Sequence, residues 1–467
     1  MSQTPSVPGG VPEGEGTPVP AASIPPFDAA KPHMARPKLR PLRGFPAQAQ
    51  GPDGKPVTML GLADARQISD KMVMTMPATQ VVLPLMDGAR DLDQIVEQVG
   101  RGLTRVILEN LVAQLDDAGF LHGPTFDAML GKMHADFDAG ENLPPASSAQ
   151  FAEALIERNE DGSPKEGPIS EAQQAERMGK VFDQWIGEAL KNANDPALTA
   201  LPSAVVVPHL DYPRGWINYA NVWGRLRVAD RPDRIVILGT NHFGEDTGVC
   251  GCDKGYSTPF GIAPLDKDLA AKLRQRLGDA IFAHRFDHER EHSIELQVPW
   301  LQHVFGKNDA GAYPKVFGAL IHDPAIKNGE SYDGTGVSLQ AFVEALRASL
   351  AELPGKTLIV SSADLSHVGP AFGDPKPLGG EEEEAAAARN KVFEHDRDML
   401  RHVADNKPWD LVASMAWQQN PTRWCSTGNL VATLLAAQPT QVRMLNYSAA
   451  MDQQGAAMVS SCAAIMS

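Results

Sequence analysis

Apolar residues in the C-terminal two-thirds of the chain fall into short unbroken runs, separated by longer stretches of mixed character. AVVVP (204–208), RIVILG (234–239), KVFGALI (315–321) and TLIVSS (357–362) are the clearest, each bounded by turn-forming residues. A strand with one covered face alternates apolar and polar positions. Runs without alternation suit strands covered on both faces. Between them, apolar residues recur at helical spacing over 266–277, 292–305, 337–351 and 383–402. Upstream, Met178, Val181, Phe182, Trp185, Ile186 and Leu190 share one face of a helix over 171–192. Alternating strands and helices predict an α/β domain over 171–467, a central sheet with helices on both faces.

The preceding residues are organised differently. Residues 1–50 hold eleven prolines and no sustained period, so they are expected to form a disordered tail. The basic stretch PKLRPLRGF (37–45) within it reads as a solvated linker. Residues 51–125 read as a small winged-helix-like module. Asp91 and Gln94 have capping-box spacing ahead of Ile95, Val96 and Val99. Ile107, Leu108, Leu111, Val112 and Leu115 line one helix face, Gly119 ends that helix, and Phe120 and Leu121 begin a short strand. Residues 126–170, with NLPPASS and EDGSPKEGP, read as a connector holding one helix over 150–158.

Composition narrows the classes. Hydrophobic residues make up 43% and charged residues 21%, ordinary globular usage. A net charge of −16 repels phosphate backbones, which argues against nucleic acid as a partner. Four cysteines, at 250, 252, 425 and 462, are too few for a disulfide framework in 467 residues. The N-terminus has no basic segment followed by an apolar one, and no apolar run reaches the length of a membrane span. The expectation is a cytoplasmic protein with reduced thiols and no membrane partner.

The chemistry lies where the strands end. The four apolar runs lead into His209, into Asn241 and His242, into His322, and into Asp364 and His367. In open α/β sheets, ligands gather at the carboxyl ends of strands. Imidazoles delivered there from several strands suit a metal ion. A single such histidine reads more simply as a satisfied loop residue; the recurrence is what points to a site.

The blocks HLDYPRGWINYANVWGRL, ILGTNHFG, STPFGIAPLD, EHSIELQVPWLQHVFG, SSADLSHVG and WCSTGNL resemble, in this order, those of Memo-like proteins, including the bacterial group called AmmeMemoRadiSam system protein B. The resemblance covers roughly residues 150–467. It implies a fold related to the catalytic subunit of class III extradiol dioxygenases, which are non-haem iron enzymes. It implies metal ligands at His209, His242 and Cys425, with Asp364 and His367 in the same pocket. Two imidazoles and a thiolate suit Fe(II), Cu or Zn with an open position, and the thiolate favours copper or zinc more than a carboxylate would. His367 is the candidate general acid/base with Asp364 orienting a neighbour; the simpler alternative for Asp364 is a helix cap. Asp211, Tyr212, Asn241, His292 and Glu295 are expected to line the pocket. His292 and Glu295 suit either metal binding or a tie between helix and sheet. Memo proteins read PHAGY at the first histidine, whereas this chain reads PHLDY, which changes the pocket's shape and adds Asp211. Asp211 is read either as an extra ligand or as the partner of Arg214, the pairing being the expectation.

Three functions stay open on these residues. The first is metal-dependent, dioxygenase-like redox chemistry on a small organic substrate. The second is a non-enzymatic adaptor that binds metal or peptide and works with a radical-SAM partner. The third is zinc-dependent hydrolysis. The stretch LPLMDGARDLDQIVEQV…LVAQLDDAGFL is similar to winged-helix modules of the PqqD type, which implies peptide binding.

Overall fold

A computed structural model describes residues 26–50, 55–100, 102–159, 163–244, 248–331 and 334–467. The chain divides into two compact units, Met1–Ala135 and Asp136–Ser467.

In the first unit, β1 (Leu42–Gln50), β2 (Pro56–Asp64) and β3 (Met72–Thr75) form an antiparallel sheet in that order. Helices Leu92–Val99 and Arg105–Asp117 follow, and Leu60, Leu62, Val73, Ile95, Leu108, Val112 and Leu115 pack together as the core. Asp91 caps the first helix through the expected reciprocal box with Gln94. Asp91→Ala should therefore cost about 1 kcal/mol. Faster amide exchange in the first turn of that helix, in the full chain, would register the loss.

Residues 1–25 of the expected tail lie outside the described residues. The rest departs from the expectation. Met34 is buried, residues 42–50 form β1, and the Arg40 guanidinium meets both Asp64 carboxylate oxygens, at 3.1 and 3.0 Å, inside the unit. The basic stretch is thus part of a core. Pro37 and Pro41 precede β1, and Pro46 within it fits because β1 is an edge strand, where a missing N–H is tolerated. Residues 126–170 also carry more structure than a connector: most of the helix Pro124–Ala139, then β4 (Asn142–Leu143) and the helix Ser147–Ala154.

In the second unit the strands are β5 (Ala204–Val207), β6 (Arg234–Thr240), β7 (Cys250–Gly251), β8 (Gly255–Thr258), β9 (Gly261–Ala263), β10 (Lys315–Ile321), β11 (Thr357–Ser362), β12 (Asp364–Val368), β13 (Val442–Met451) and β14 (Met458–Met466). An eight-stranded sheet runs β12-β14-β5-β11-β6-β10-β7, with β13 paired to the other side of β14. Its centre, β5, β11, β6 and β10, is parallel, and the flanking strands are antiparallel. A small sheet, β4-β8-β9, lies apart.

The unbroken apolar runs now have their reason. Successive side chains on a strand point to opposite faces. Val206, Val236, Leu238, Ala319 and Ile359 join one core cluster, which includes Leu346 and Leu430 from helices Leu339–Glu352 and Thr427–Ala437. Val205, Val207, Ile235, Ile237 and Val360 join the other, with Phe182, Tyr219 and Trp300 from helices Glu171–Leu190, Tyr212–Trp223 and Val298–Phe305. Both faces are covered, as the pattern requires. The four parallel strands therefore end on one edge, and that edge carries the site. No helix among the described residues is long and apolar enough to cross a membrane.

Candidate metal centre

His209 follows β5 by two residues and is 2% exposed. Its ring Nδ1 lies 3.0 Å from the Ser362 carbonyl at the end of β11. A carbonyl only accepts, so Nδ1 carries the proton and the Nε2 lone pair is left for the cleft. The backbone N–H of His209 donates to Asp364 Oδ1 at 3.0 Å.

His242 follows β6 by two residues. Its Nδ1 lies 3.0 and 3.1 Å from the two oxygens of Glu291, and its backbone N–H donates to Oε2 at 2.9 Å. The same carboxylate accepts from Ser293 N at 2.8 Å. Ser293 Oγ in turn accepts from Thr240 N at 3.0 Å, which docks the EHSIE segment against the end of β6. That docking brings His292 to the cleft. The His242 and His292 rings stack, 4.9 Å apart and 19° from parallel, and both stand nearly perpendicular to the His209 ring. One ring nitrogen from each of His209, His242 and His292 lies within 4.8 Å of the others.

Cys425 lies just before the helix Thr427–Ala437. Its Sγ is 3.5 Å from His209 Nε2 and 3.1 Å from Ser426 Oγ. All four cysteines are free. His209 and Cys425 thus lie side by side, and His292, read as suiting either metal binding or a tie between helix and sheet, joins His209 and His242 as a third imidazole.

Electrostatics separate the three rings. Burial, together with the charges of His242 and His292, holds His209 well below the usual histidine range. Burial also lowers His292. Burial opposes charge on His242 too, but the Glu291 carboxylate and the Cys425 sulfur outweigh it and raise this histidine well above its ordinary value. Burial thus favours the neutral ring at His209 and His292, whereas Glu291 favours the charged ring at His242.

The remaining candidates are sorted by the fold. Asp364 caps no helix: it opens β12 and accepts the backbone N–H of His209, which positions the His209 loop. Burial raises its pKa to about 7, against the lowering effect of the His209 and Leu210 N–H groups. His367, on the same strand, binds the Leu365 carbonyl through Nδ1 at 3.0 Å and is pushed by burial down to about 4. Its link to the three histidines is the charge of His242. Asp211 pairs with Arg214 at 2.6 Å and caps the helix Tyr212–Trp223. Asn241 donates to Asp287 at 3.0 Å.

Two residues leave the pocket. Tyr212 is 1% exposed and packs edge-on against Phe151, Phe182 and Trp300, with its hydroxyl on the Leu296 carbonyl. Helical periodicity turns it toward the core rather than the cleft. Glu295 accepts the backbone N–H groups of Ala146, Ser147 and Ser148, so it ties down the start of the helix Ser147–Ala154. His322, the fourth strand-end histidine, faces Gly329, with Nε2 3.2 Å from that carbonyl. Glu291 is the functional residue the sequence reading undervalued. Its signal was available: a carboxylate directly beside His292 at the start of the EHSIELQVPWL block.

A profile of the family described as Memo-like protein matches residues 174–466, more than half of the chain. The chain belongs to the Memo-like family. The matched segment contains His209, His242, His292, Asp364, His367 and Cys425. Relatives named MEMO1 family protein include one from Methanococcoides burtonii, 33% identical over 35% of this chain and 54% of its own length. Another, from Thermotoga petrophila, is 33% identical over 37% of this chain and 57% of its own. A third, from Sulfolobus acidocaldarius, is 36% identical over 22% and 36% respectively. The chain thus spans about half the length of the Methanococcoides and Thermotoga relatives and about a third of the Sulfolobus one.

Proposed function

We propose that this cleft holds a redox-active or divalent metal ion, Fe(II) or Cu before Zn, and works in dioxygenase-like redox chemistry on a small organic substrate. The observation that carries the reading is the convergence of three imidazole nitrogens within 4.8 Å, two of the rings held by their Nδ1 atoms so that Nε2 is left for a ligand. The donor chemistry fits. Nitrogen and sulfur ligands at about 2.0–2.1 and 2.3 Å from one tetrahedral ion stand about 3.5 Å apart, and His209 Nε2 and Cys425 Sγ are 3.5 Å apart. His209, His242 and Cys425 are the proposed ligands, with His292 beside them at the more open side, its side chain 35% exposed. A bound ion supplies Lewis acidity or electron exchange to a substrate oxygen. The chain supplies the rest: Glu291 and the Ser362 carbonyl fix the rings, Asp364 fixes the His209 loop, and neutral His367 is the proton acceptor. Because Glu291 favours the protonated form of His242, protons compete with a metal at that ring, and affinity should fall as pH is lowered.

The test is metal analysis of the full chain purified anaerobically and offered Fe(II), Cu(I) or Zn, followed by oxygen uptake with a panel of catechols. Near-stoichiometric iron or copper with oxygen uptake is expected. Bound zinc without oxygen uptake favours hydrolysis by a zinc-activated water instead. Failure to retain any of the three metals sinks the reading.

A second reading is favoured by one feature of the first unit. A groove of about 620 Å³ is lined by Met59, Met74, Met76, Val81, Leu103 and Ile107, with Met76, Val81 and Ile107 more than half exposed. Methionine-rich apolar surfaces adapt to peptide partners. In this reading the unit brings a peptide, or a radical-SAM protein, to the second unit. Binding of such a partner to the full chain should be lost on Ile107→Asp. Unchanged binding would remove the groove from the account.

A further inference from the structure

We propose that Asp396, outside the cleft, is a positioning residue for it. Through the indole of Trp424 it fixes the segment that presents Cys425, and through Ser366 it fixes the strand that carries Asp364 and His367. The functional consequence rests on the metal-centre reading above; the coupling itself rests on geometry.

Asp396 lies on the helix Glu383–Ala404 and is fully buried. Oδ1 accepts from Trp424 Nε1 at 2.6 Å and from Ser366 Oγ; Oδ2 accepts from Tyr447 Oη at 2.6 Å and from Ser460 Oγ. All four donors are neutral. A carboxylate taken out of water is costly unless each oxygen finds donors, and an apolar residue of similar size would fill the same space without that cost. What the carboxylate adds is direction. It fastens β12 through Ser366, β13 through Tyr447, β14 through Ser460 and the Trp424 segment to one helix.

The Trp424 segment needs fastening. Gln419, Asn420 and Arg423 have φ of 56°, 46° and 57°, the left-handed region that residues other than glycine avoid. Such conformations persist only where the surroundings over-determine them, and they gather at functional sites. Three clamps do so here. The Asn420 side chain bonds Trp424 N at 2.7 Å and Trp424 O at 2.8 Å. Arg423 Nε donates to the His367 carbonyl at 2.8 Å. The third is the Trp424 indole on Asp396. The next residue is Cys425, whose sulfur must meet His209 Nε2 within a few tenths of an ångström to share a ligand with it.

The experiment reads Cys425 directly and without metal. Cys425 is part-exposed, while Cys250, Cys252 and Cys462 are buried, so alkylation of the native, chelator-treated full chain, mapped by mass spectrometry, reports the Cys425 segment alone. Trp424→Phe keeps an aromatic ring and removes the indole N–H that bonds Asp396 at 2.6 Å and lies 3.1 Å from Ser366 Oγ. It should raise the Cys425 alkylation rate about tenfold. The thermal midpoint should stay near wild type and the other three cysteines should stay protected. Tyr447→Phe removes a donor from the other oxygen and leaves the indole bond, so its effect should stay below about twofold. Asp396→Asn should match or exceed Trp424→Phe. If it does not fold, the two aromatic variants decide. A wild-type rate in Trp424→Phe overturns the proposal, and so does an equal rise in Tyr447→Phe, which would mean general loosening. Metal content of the wild-type chain tests the metal reading separately, so the two failures are distinguishable.

Discussion

His209→Ala is expected to weaken metal binding by more than about 100-fold, with little loss of fold. The ring is buried, its Nε2 faces Cys425, and it is the one imidazole set across the stacked pair of His242 and His292. Without it the site loses the ring whose Nε2 lies 3.5 Å from the Cys425 sulfur, and only the stacked pair of His242 and His292 remains as nitrogen donors. The fold is protected because the ring's partner is not orphaned. The Ser362 carbonyl still accepts from Asn429 Nδ2 at 2.6 Å, and Asp364 still accepts the backbone N–H of residue 209. The variant should therefore melt within a few degrees of wild type while losing its metal to a competing chelator. Metal retained within about threefold of wild type would mean that the donor set has been misassigned.

That such a prediction is available owes much to the strands. A continuous apolar run has few structural meanings, and here four of them became the parallel centre of the sheet within a residue of their read limits. Placing a histidine just past a strand end is then nearly a geometric statement, which is why His209 and His242 were legible. His322 met the same condition and turned aside, because its side chain found the Gly329 carbonyl first. A strand end fixes a Cα position and leaves the rotamer to neighbours that the sequence does not name. His292 was underweighted for a related reason. Its place depends on Ser293 bonding Thr240, a contact across 53 positions. Tyr212 and Glu295 were drawn into the pocket by their place in the blocks that resemble Memo-like proteins, whereas helical periodicity alone would have turned Tyr212 toward Phe182 and Trp300. The ordered part of the N-terminal stretch was missed because proline content was counted without asking whether the strand could be an edge.

Glu291→Gln, a change of one atom, is expected to cost about 10–100-fold in metal affinity. The carboxylate serves three donors: Oε2 accepts from His242 N, Oε1 accepts from Ser293 N, and both oxygens lie within 3.1 Å of His242 Nδ1. An amide has one oxygen and one NH2 group. Whichever way it is turned, the NH2 faces a buried backbone N–H, either that of His242 or that of Ser293, and two donors are left opposed. The side chain must then swing out, and the restraint on the His242 ring goes with it. The charge is lost as well. Burial works against ionising Glu291, yet the charge and hydrogen bond of His242 draw it well below the usual carboxylate range, so this is an ion pair as well as a hydrogen bond. Removing it returns His242 toward ordinary basicity. Proton competition at that ring weakens, while the ring becomes a poorer and less oriented donor. The second effect should dominate near neutral pH, where competition from a proton is worth less than a fixed ligand. A titration of Fe(II) or Zn against pH, comparing Glu291→Gln with wild type, separates the two. The affinity deficit should be largest at high pH, where proton competition has vanished for both chains, and should narrow toward acid. A deficit that instead grows toward acid would mean that Glu291 acts mainly by a route other than holding His242.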